Sequence, residues 1–111
     1  VVIIDDSIVR GTTSKRLVKI LRDSGAREIH FRSVSPPIIA PCFLGIDTPK
    51  KDDLIAANMT VEELKDYLGV DSLEFLSVEN LINILGSDQH CFGCFTEKYP
   101  VAKPKESELF N

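Results

Sequence analysis

The chain has 111 residues, enough for one domain or a piece of one, and with 43% hydrophobic and 27% charged residues it can bury an ordinary soluble core. A net charge of −4, with basic residues scattered as Lys15-Arg16, Lys50-Lys51, Lys103 and Lys105 and no interleaved aromatics, argues against a nucleic-acid binder. No apolar run approaches the roughly 20 residues of a membrane span, and Val1–Ile4 is too short and lacks the basic start of a secretory signal. A cytoplasmic location, with no membrane partner, is the resulting expectation. The three cysteines, Cys42, Cys91 and Cys94, include one C-x-x-C pair. An odd count does not suit a secreted disulfide framework and points to a reducing compartment with metal or redox chemistry.

The chain opens Val1-Val2-Ile3-Ile4 with no initiator Met, directly in an apolar run, and so reads as part of a longer protein. This continuous, β-branched run predicts a strand of a parallel sheet buried on both faces, ended by Asp5 and Asp6. Ser7–Gly11 reads as a turn, and Thr12 or Thr13 as the N-cap of a helix. In that helix Leu17, Val18, Ile20 and Leu21 form an apolar side opposite Lys15, Arg16, Lys19 and Arg22, and Gly25 stops it. Glu28–Val34 alternates, with Ile29, Phe31 and Ser33 on one side, and the strand–helix–strand order makes this second strand parallel to the first. Ser35-Pro36-Pro37 breaks it, and Ile38–Thr48 is a loop carrying Cys42 and Gly45.

The second half is more helical. Lys51–Asn58 predicts a short helix. Thr60-Val61-Glu62-Glu63 has the form of a capping box, with Leu64 and Leu68 one turn apart and Gly69 as terminator. Leu73–Leu76 reads as a short strand. Ser77 caps a further helix with Val78, Leu81, Ile82 and Leu85 inward and Gly86 at its end. From Ser87 onward no period is visible, and Ala102–Asn111 is polar and expected to be mobile. The fold class expected is α/β, a parallel sheet flanked by helices, with a C-terminal helical segment.

The chemistry concentrates in the opening string Val-Val-Ile-Ile-Asp-Asp-Ser-Ile-Val-Arg-Gly-Thr-Thr-Ser. An open parallel sheet binds ligands beyond the carboxyl ends of its strands, where Asp5 and Asp6 stand. The loop that follows runs into a helix N-terminus, whose unpaired amides and dipole favour a phosphate. Gly11 lets the backbone come close, and Thr12, Thr13 and Ser14 add hydroxyls. Carboxylates accept hydroxyl protons or ligate Mg²⁺, so a sugar bearing both a vicinal diol and a phosphate, such as ribose 5-phosphate, fits both ends. The bland alternative is a strand end followed by a helix cap. A Walker loop does not fit, because Asp6 stands where its first glycine would be and no Gly-Lys-Ser/Thr follows; no G-x-G-x-x-G occurs either.

The cysteines allow three readings by spacing: metal site, redox pair, or incidental thiols. Four thiolates make an iron–sulfur or an all-Cys zinc site. His90 is either a zinc ligand or a solvated loop histidine.

Four apolar residues, an acidic pair and a loop ending in Gly-Thr-Thr resemble the phosphoribosyl-pyrophosphate (PRPP) motif of type I phosphoribosyltransferases. Asp-Asp-Ser-Ile-Val-Arg-Gly-Thr-Thr is similar to the amidophosphoribosyltransferase form of it. Ser-Pro-Pro-Ile-Ile-Ala-Pro-Cys-Phe-Leu-Gly-Ile-Asp and Cys-Phe-Gly-Cys-Phe-Thr-Glu-Lys-Tyr-Pro resemble segments of that family's cluster-bearing branch. The likeness runs from Val1 to about Pro100, with Glu97 standing where Gly is usual.

The resemblance implies that Asp5 and Asp6 hold the ribose hydroxyls and help place Mg²⁺, and that Ser7, Ile8, Val9, Arg10, Gly11, Thr12 and Thr13 wrap the 5-phosphate. Arg10 either offsets phosphate charge or points to solvent. It implies that Cys42, Cys91 and Cys94 are three of the four ligands of a structural [4Fe–4S] cluster, the fourth lying before Val1. Residues 1–86 would be the C-terminal portion of the phosphoribosyltransferase domain and 87–111 a cysteine-bearing tail. The parent enzyme implied makes 5-phosphoribosylamine from PRPP and glutamine-derived ammonia, is a homo-oligomer and is inhibited by purine nucleotides. No residue is assigned a catalytic role, and these residues alone are expected to be inactive. The rivals are another PRPP-binding transferase or repressor, which leaves the cysteines unexplained, and a zinc- or cluster-binding interaction module, which leaves the Asp-Asp loop idle.

Overall fold

A computed structural model of the chain describes residues 1–102 and 105. Three strands, β1 (Val2–Asp5), β2 (His30–Ser33) and β3 (Ser72–Phe75), form a parallel sheet in the order β1-β2-β3. Ile3 pairs with Phe31 and Phe31 with Leu73, so these three side chains share one face of the sheet. Helix α1 (Thr12–Asp23) connects β1 to β2. A 3-10 turn at Lys51–Asp53 and helices α2 (Ile55–Asn58) and α3 (Val61–Leu68) lead into β3, and α4 (Val78–Leu85) and α5 (Gly93–Thr96) follow.

Helices α1 and α3 touch each other and lie over the same sheet face. Successive crossovers that move the same way along a parallel sheet place their helices on one side. The core therefore sits under that face: Ile3, Ile8, Val18, Ile29, Phe31, Ile55, Leu64, Leu68, Val70 and Leu73. Burial of β1 on both faces, expected from its unbroken apolar run, is not what the structure has. Ile3 is buried, but Val2 and Ile4 are 62% and 71% exposed, because no helix among the described residues covers the second face.

Similar corrections apply to two helices. On α1 the inward residues are Ser14 and Val18, with Leu21 packed beside them, whereas Leu17 and Ile20 face outward. On α4 no residue is fully buried: Val78, Leu81 and Ile82 are half-buried on the expected side, but Leu85, expected inward, is exposed, as is Ile84. The apolar content of both helices exceeds what one sheet face can cover. The predicted Lys51–Asn58 helix is split at Leu54, whose extended backbone separates the 3-10 turn from α2 and whose side chain is fully buried. The strand predicted over Glu28–Val34 is shorter, His30–Ser33, with Ile29, Phe31 and Ser33 buried as expected. The polar tail lies largely outside the described residues.

The capping signals hold in detail. Thr60 Oγ1 accepts from the Glu63 amide at 3.2 Å, and Glu63 Oε2 accepts from the Thr60 amide at 2.8 Å. Ser77 Oγ accepts from the Asn80 amide at 3.0 Å. At the far end of the sheet Asp71 Oδ2 accepts from the Ile29 amide at 2.7 Å and from Arg22 Nη2 at 2.9 Å. The Ile29 amide first, and Arg22 second, hold the Asp71 carboxyl below the usual carboxylate range.

The burial pattern makes a direct prediction. Leu64→Ala should cost about 2–5 kcal/mol in urea unfolding, whereas Ile20→Ala, on the outward side of α1, should change stability by no more than about 0.5 kcal/mol. Equal losses would place the core on the wrong face of the helices.

Candidate functional site

The first candidate site grows out of the end of β1. Asp5 is half-buried there, and its Oδ1 accepts from the Asp6 amide at 2.8 Å. Asp6 is exposed, and its Oδ1 accepts from the Ser7 hydroxyl at 3.3 Å. Both carboxylates thus stand at the carboxyl end of a parallel strand, where open α/β sheets take their ligands.

Two anchors hold the loop that follows. Ile8 is 1% exposed and plugs the loop into the core. One residue on, the Val9 carbonyl accepts from the Ile55 amide at 3.0 Å. The loop ends at Gly11, whose φ of 79° lies in the left-handed region that glycine adopts freely. A Cβ at Gly11 would stand 2.7 Å from Ile55 Cδ1, the movable tip of that side chain, so the backbone angle is the main bar to another residue and the contact adds to it. Gly11 is also the N-cap of α1, in place of the Thr12 or Thr13 expected, and no side chain caps this helix.

The result is a row of open donors. Among the described residues no acceptor takes the backbone amides of Ser7 through Ser14; the first bonded amide is that of Lys15, to the Gly11 carbonyl at 2.9 Å. Uncapped amides at a helix N-terminus, with the positive end of the helix dipole, make a site for an anion. Thr12 and Thr13 are exposed beside them, while Ser14 is buried next to Val18 and faces inward. Of the predicted loop residues, Ile8 gives its side chain to anchoring and Val9 its carbonyl. The Arg10 side chain is exposed.

An open groove of about 560 Å³ lies next to this loop between α1 and α3, lined by Thr12, Lys15, Lys19, Arg22 and Tyr67 among others. Its basic side chains are largely engaged. Lys15 Nζ sits 3.9 Å from the centre of the Tyr67 ring, Lys19 pairs with Asp23, and Arg22 with Asp71.

The second candidate site is built by docking the tail on the loop after β2. The Cys94 carbonyl accepts from the amides of Ile39 and Ala40 at 2.9 and 3.1 Å. Tyr99 donates its hydroxyl to the Pro41 carbonyl at 2.7 Å, and its ring meets Phe43 with centroids 4.5 Å apart. Gly93 is buried under that ring: a Cβ there would lie 2.3 Å from Tyr99 Cδ1. This close approach explains the glycine inside Cys-Phe-Gly-Cys.

These contacts bring the three cysteines into one neighbourhood. Burial raises the Cys94 thiol above its ordinary value, and proximity to Cys42 and Cys91 adds to the rise. Cys42 Sγ accepts from the Leu44 amide at 3.4 Å, and the Cys42 amide is held by Thr48 Oγ1 at 2.7 Å. Among the described residues, no three Cys, His, Asp or Glu side chains converge tightly enough to share one metal ion. His90 is exposed and packs edge-on to Phe92.

Helix α5 has no counterpart in the sequence reading, because a single turn carries no period. It closes at Glu97, the only non-glycine residue with positive φ (62°) among those described, and Glu97 pairs with Lys51. A left-handed terminator favours glycine, which accounts for Gly being usual at this place in the similar family.

The chain is a three-stranded parallel α/β unit, with a loop of acceptor-free amides at its first strand end and a docked cysteine tail. The comparisons then narrow its class. No family model matches the chain. It is 54% identical to amidophosphoribosyltransferase 2, chloroplastic, of Arabidopsis thaliana, over 98% of this chain and 20% of the relative. It is 52% identical to the amidophosphoribosyltransferase of Archaeoglobus fulgidus, over 96% of this chain and 24% of that one. Among solved structures, the glutamine PRPP amidotransferase from B. subtilis, complexed with ADP and GMP, superposes with a TM-score of 0.86 at 49% identity, covering 95% of this chain and 24% of the other. The chain is homologous to a segment of the amidophosphoribosyltransferases. It spans about a fifth of the length of the curated plant relatives it matches. Those plant relatives are named chloroplastic, so the family alone does not carry the cytoplasmic location expected from the sequence. No helix among the described residues is long and apolar enough to cross a membrane.

The tail docking is open to test. Gly93→Ala should cost about 1–3 kcal/mol by driving the Tyr99 ring away, and should speed alkylation of Cys94 by iodoacetamide while leaving the already exposed Cys91 unchanged. Unchanged Cys94 reactivity and stability would show that Tyr99 does not pack on Gly93.

Proposed function

We propose that this chain supplies the ribose 5-phosphate end of a PRPP site in an enzyme that makes 5-phosphoribosylamine from PRPP and glutamine, the first committed step of purine synthesis. The observation that carries the proposal is the row of acceptor-free amides from Ser7 to Ser14 directly after the Asp5-Asp6 pair at a parallel strand end. The amides and the Thr12 and Thr13 hydroxyls take the 5-phosphate, and Asp5 and Asp6 accept protons from the ribose hydroxyls. In the reaction the bond from ribose C1 to pyrophosphate breaks and a bond from C1 to ammonia nitrogen forms, with loss of a proton from that nitrogen. Carboxylates fixed beside the ribose orient it and offset positive charge developing at C1. Mg²⁺, when bound to the pyrophosphate, makes it a better leaving group, and Asp5 and Asp6 help to place it.

Cys42, Cys91 and Cys94 hold three corners of a [4Fe–4S] cluster whose role is structural. They lie where the tail crosses the loop after β2, already joined there by the Cys94 and Tyr99 hydrogen bonds, and phosphoribosyl transfer to ammonia needs no electrons. The presence of these cysteines beside a PRPP loop favours this reading over a nucleobase phosphoribosyltransferase, a PRPP-binding repressor or a zinc-binding module. The B. subtilis structure, complexed with ADP and GMP, and a second solved structure described as the allosteric regulatory enzyme of purine biosynthesis support purine nucleotides as regulators of the whole protein, which the proposal takes to be a homo-oligomer.

Isothermal titration tests the sugar-phosphate assignment. Ribose 5-phosphate and PRPP should bind the chain, PRPP more tightly with Mg²⁺, and the Asp5→Asn/Asp6→Asn variant should lose about tenfold or more in affinity, as expected for hydrogen bonds to charged groups. Equal binding by the variant, or no binding by a chain that circular dichroism shows to be folded, would contradict it.

A further inference from the structure

We propose that Ile55, which lies outside the loop, is the positioning residue that turns the Arg10 amide toward the bound phosphate. The inference rests on the sugar-phosphate reading of the loop and deepens it. Ile55 is the first residue of α2, so its N–H has no partner within its own helix. That donor goes instead to the Val9 carbonyl, at 3.0 Å. In a trans peptide the carbonyl and the following N–H point in opposite directions, and the chain contains no cis bond among the described residues. Fixing the Val9 carbonyl on Ile55 therefore points the Arg10 N–H away from α2. Among the described residues no acceptor takes that N–H.

The same residue fixes the next step of the loop. Its Cδ1 occupies the space where a Cβ of Gly11 would stand, and the Tyr67 ring closes on that position from the other side. Gly11 is thereby seated against Ile55 with its left-handed backbone facing the core. Ile55 in turn is held by Asn58, whose side-chain amide donates to the carbonyls of Leu54, Lys51 and Asp52 at 2.8, 3.1 and 3.1 Å. Without the Ile55 donor the Val9–Arg10 peptide is free to rotate, and one donor of the cradle is no longer pre-aimed, which is the kind of loss that positioning residues cause.

Proline removes the donor. It is well accepted at the first position of a helix, where the N–H makes no helical bond, and Leu54 already has the extended backbone that a residue before proline requires (φ −83°, ψ 109°). Ile55→Pro should weaken binding of ribose 5-phosphate about tenfold, and clearly more than Ile55→Val, which keeps the N–H but loses the Cδ1 that meets Gly11. A readout on the unaltered chain accompanies this, so the inference does not depend on the variant folding. In two-dimensional ¹⁵N–¹H spectra the Ile55 amide should be protected from hydrogen exchange, and the Arg10 amide should exchange fast and shift on adding ribose 5-phosphate. If other loop amides shift and Arg10 does not, or if Ile55→Pro binds as tightly as wild type, the role of Ile55 is overturned while the phosphate site stands. If no amide of Ser7–Ser14 shifts, the phosphate reading fails and the inference with it.

Discussion

At Gly11, with its left-handed backbone pressed against the Ile55 side chain, the loop that follows β1 enters helix α1. Everything the candidate site offers depends on that contact. With Ile8 sunk in the core on one side and Gly11 seated on the other, the loop is held open and its amides face no protein acceptor. An unpaired amide is tolerable only at the surface, where water or a ligand replaces the missing acceptor. The loop therefore spends local stability on a site, and the buried anchors at Ile8 and Ile55 offset the loss.

The cysteine tail connects to the same framework through the Lys51–Asn58 segment. Lys51 pairs with Glu97 at the end of α5, and Asn58 staples the 3-10 turn to α2, whose first amide holds Val9. An exposed ion pair contributes little by itself. The stronger tie is the backbone one, where Ile39 and Ala40 bond the Cys94 carbonyl and Tyr99 packs between Gly93 and Phe43. Tail, proline-containing loop and the loop after β1 thus form a continuous set of contacts.

Features set by neighbours in the chain were legible in the sequence. Thr60 and Glu63 form their capping box, Ser77 caps α4, and Gly69 and Gly86 end their helices, because each motif is complete within a few residues. The turn between β1 and α1 was legible for the same reason. Features set by the third dimension were not. The apolar run Val1–Ile4 does not say how many layers cover it, and the sheet has helices on one face only among the described residues. Leu17 and Ile20 match a helical apolar side but lie beyond the width the sheet can cover. The Gly11 N-cap was read as threonine because nothing local reveals that Ile55, far along the chain, occupies the space beside it. Gly93 carried a signal that was missed: a glycine between two cysteines marks a close approach, here of Tyr99.

The central claim is that backbone shape at Gly11, and not a particular side chain, makes the anion site. Gly11→Ala tests it most directly, because it leaves Asp5, Asp6, Thr12 and Thr13 untouched. Phosphorus-31 spectra of ribose 5-phosphate titrated with this variant, with circular dichroism of the same samples, give the answer. The account predicts a sheet-and-helix spectrum like that of wild type, stability lower by about 1–3 kcal/mol, and no broadening or shift of the phosphate signal. A phosphate signal that moves with Gly11→Ala as it does with wild type would contradict it.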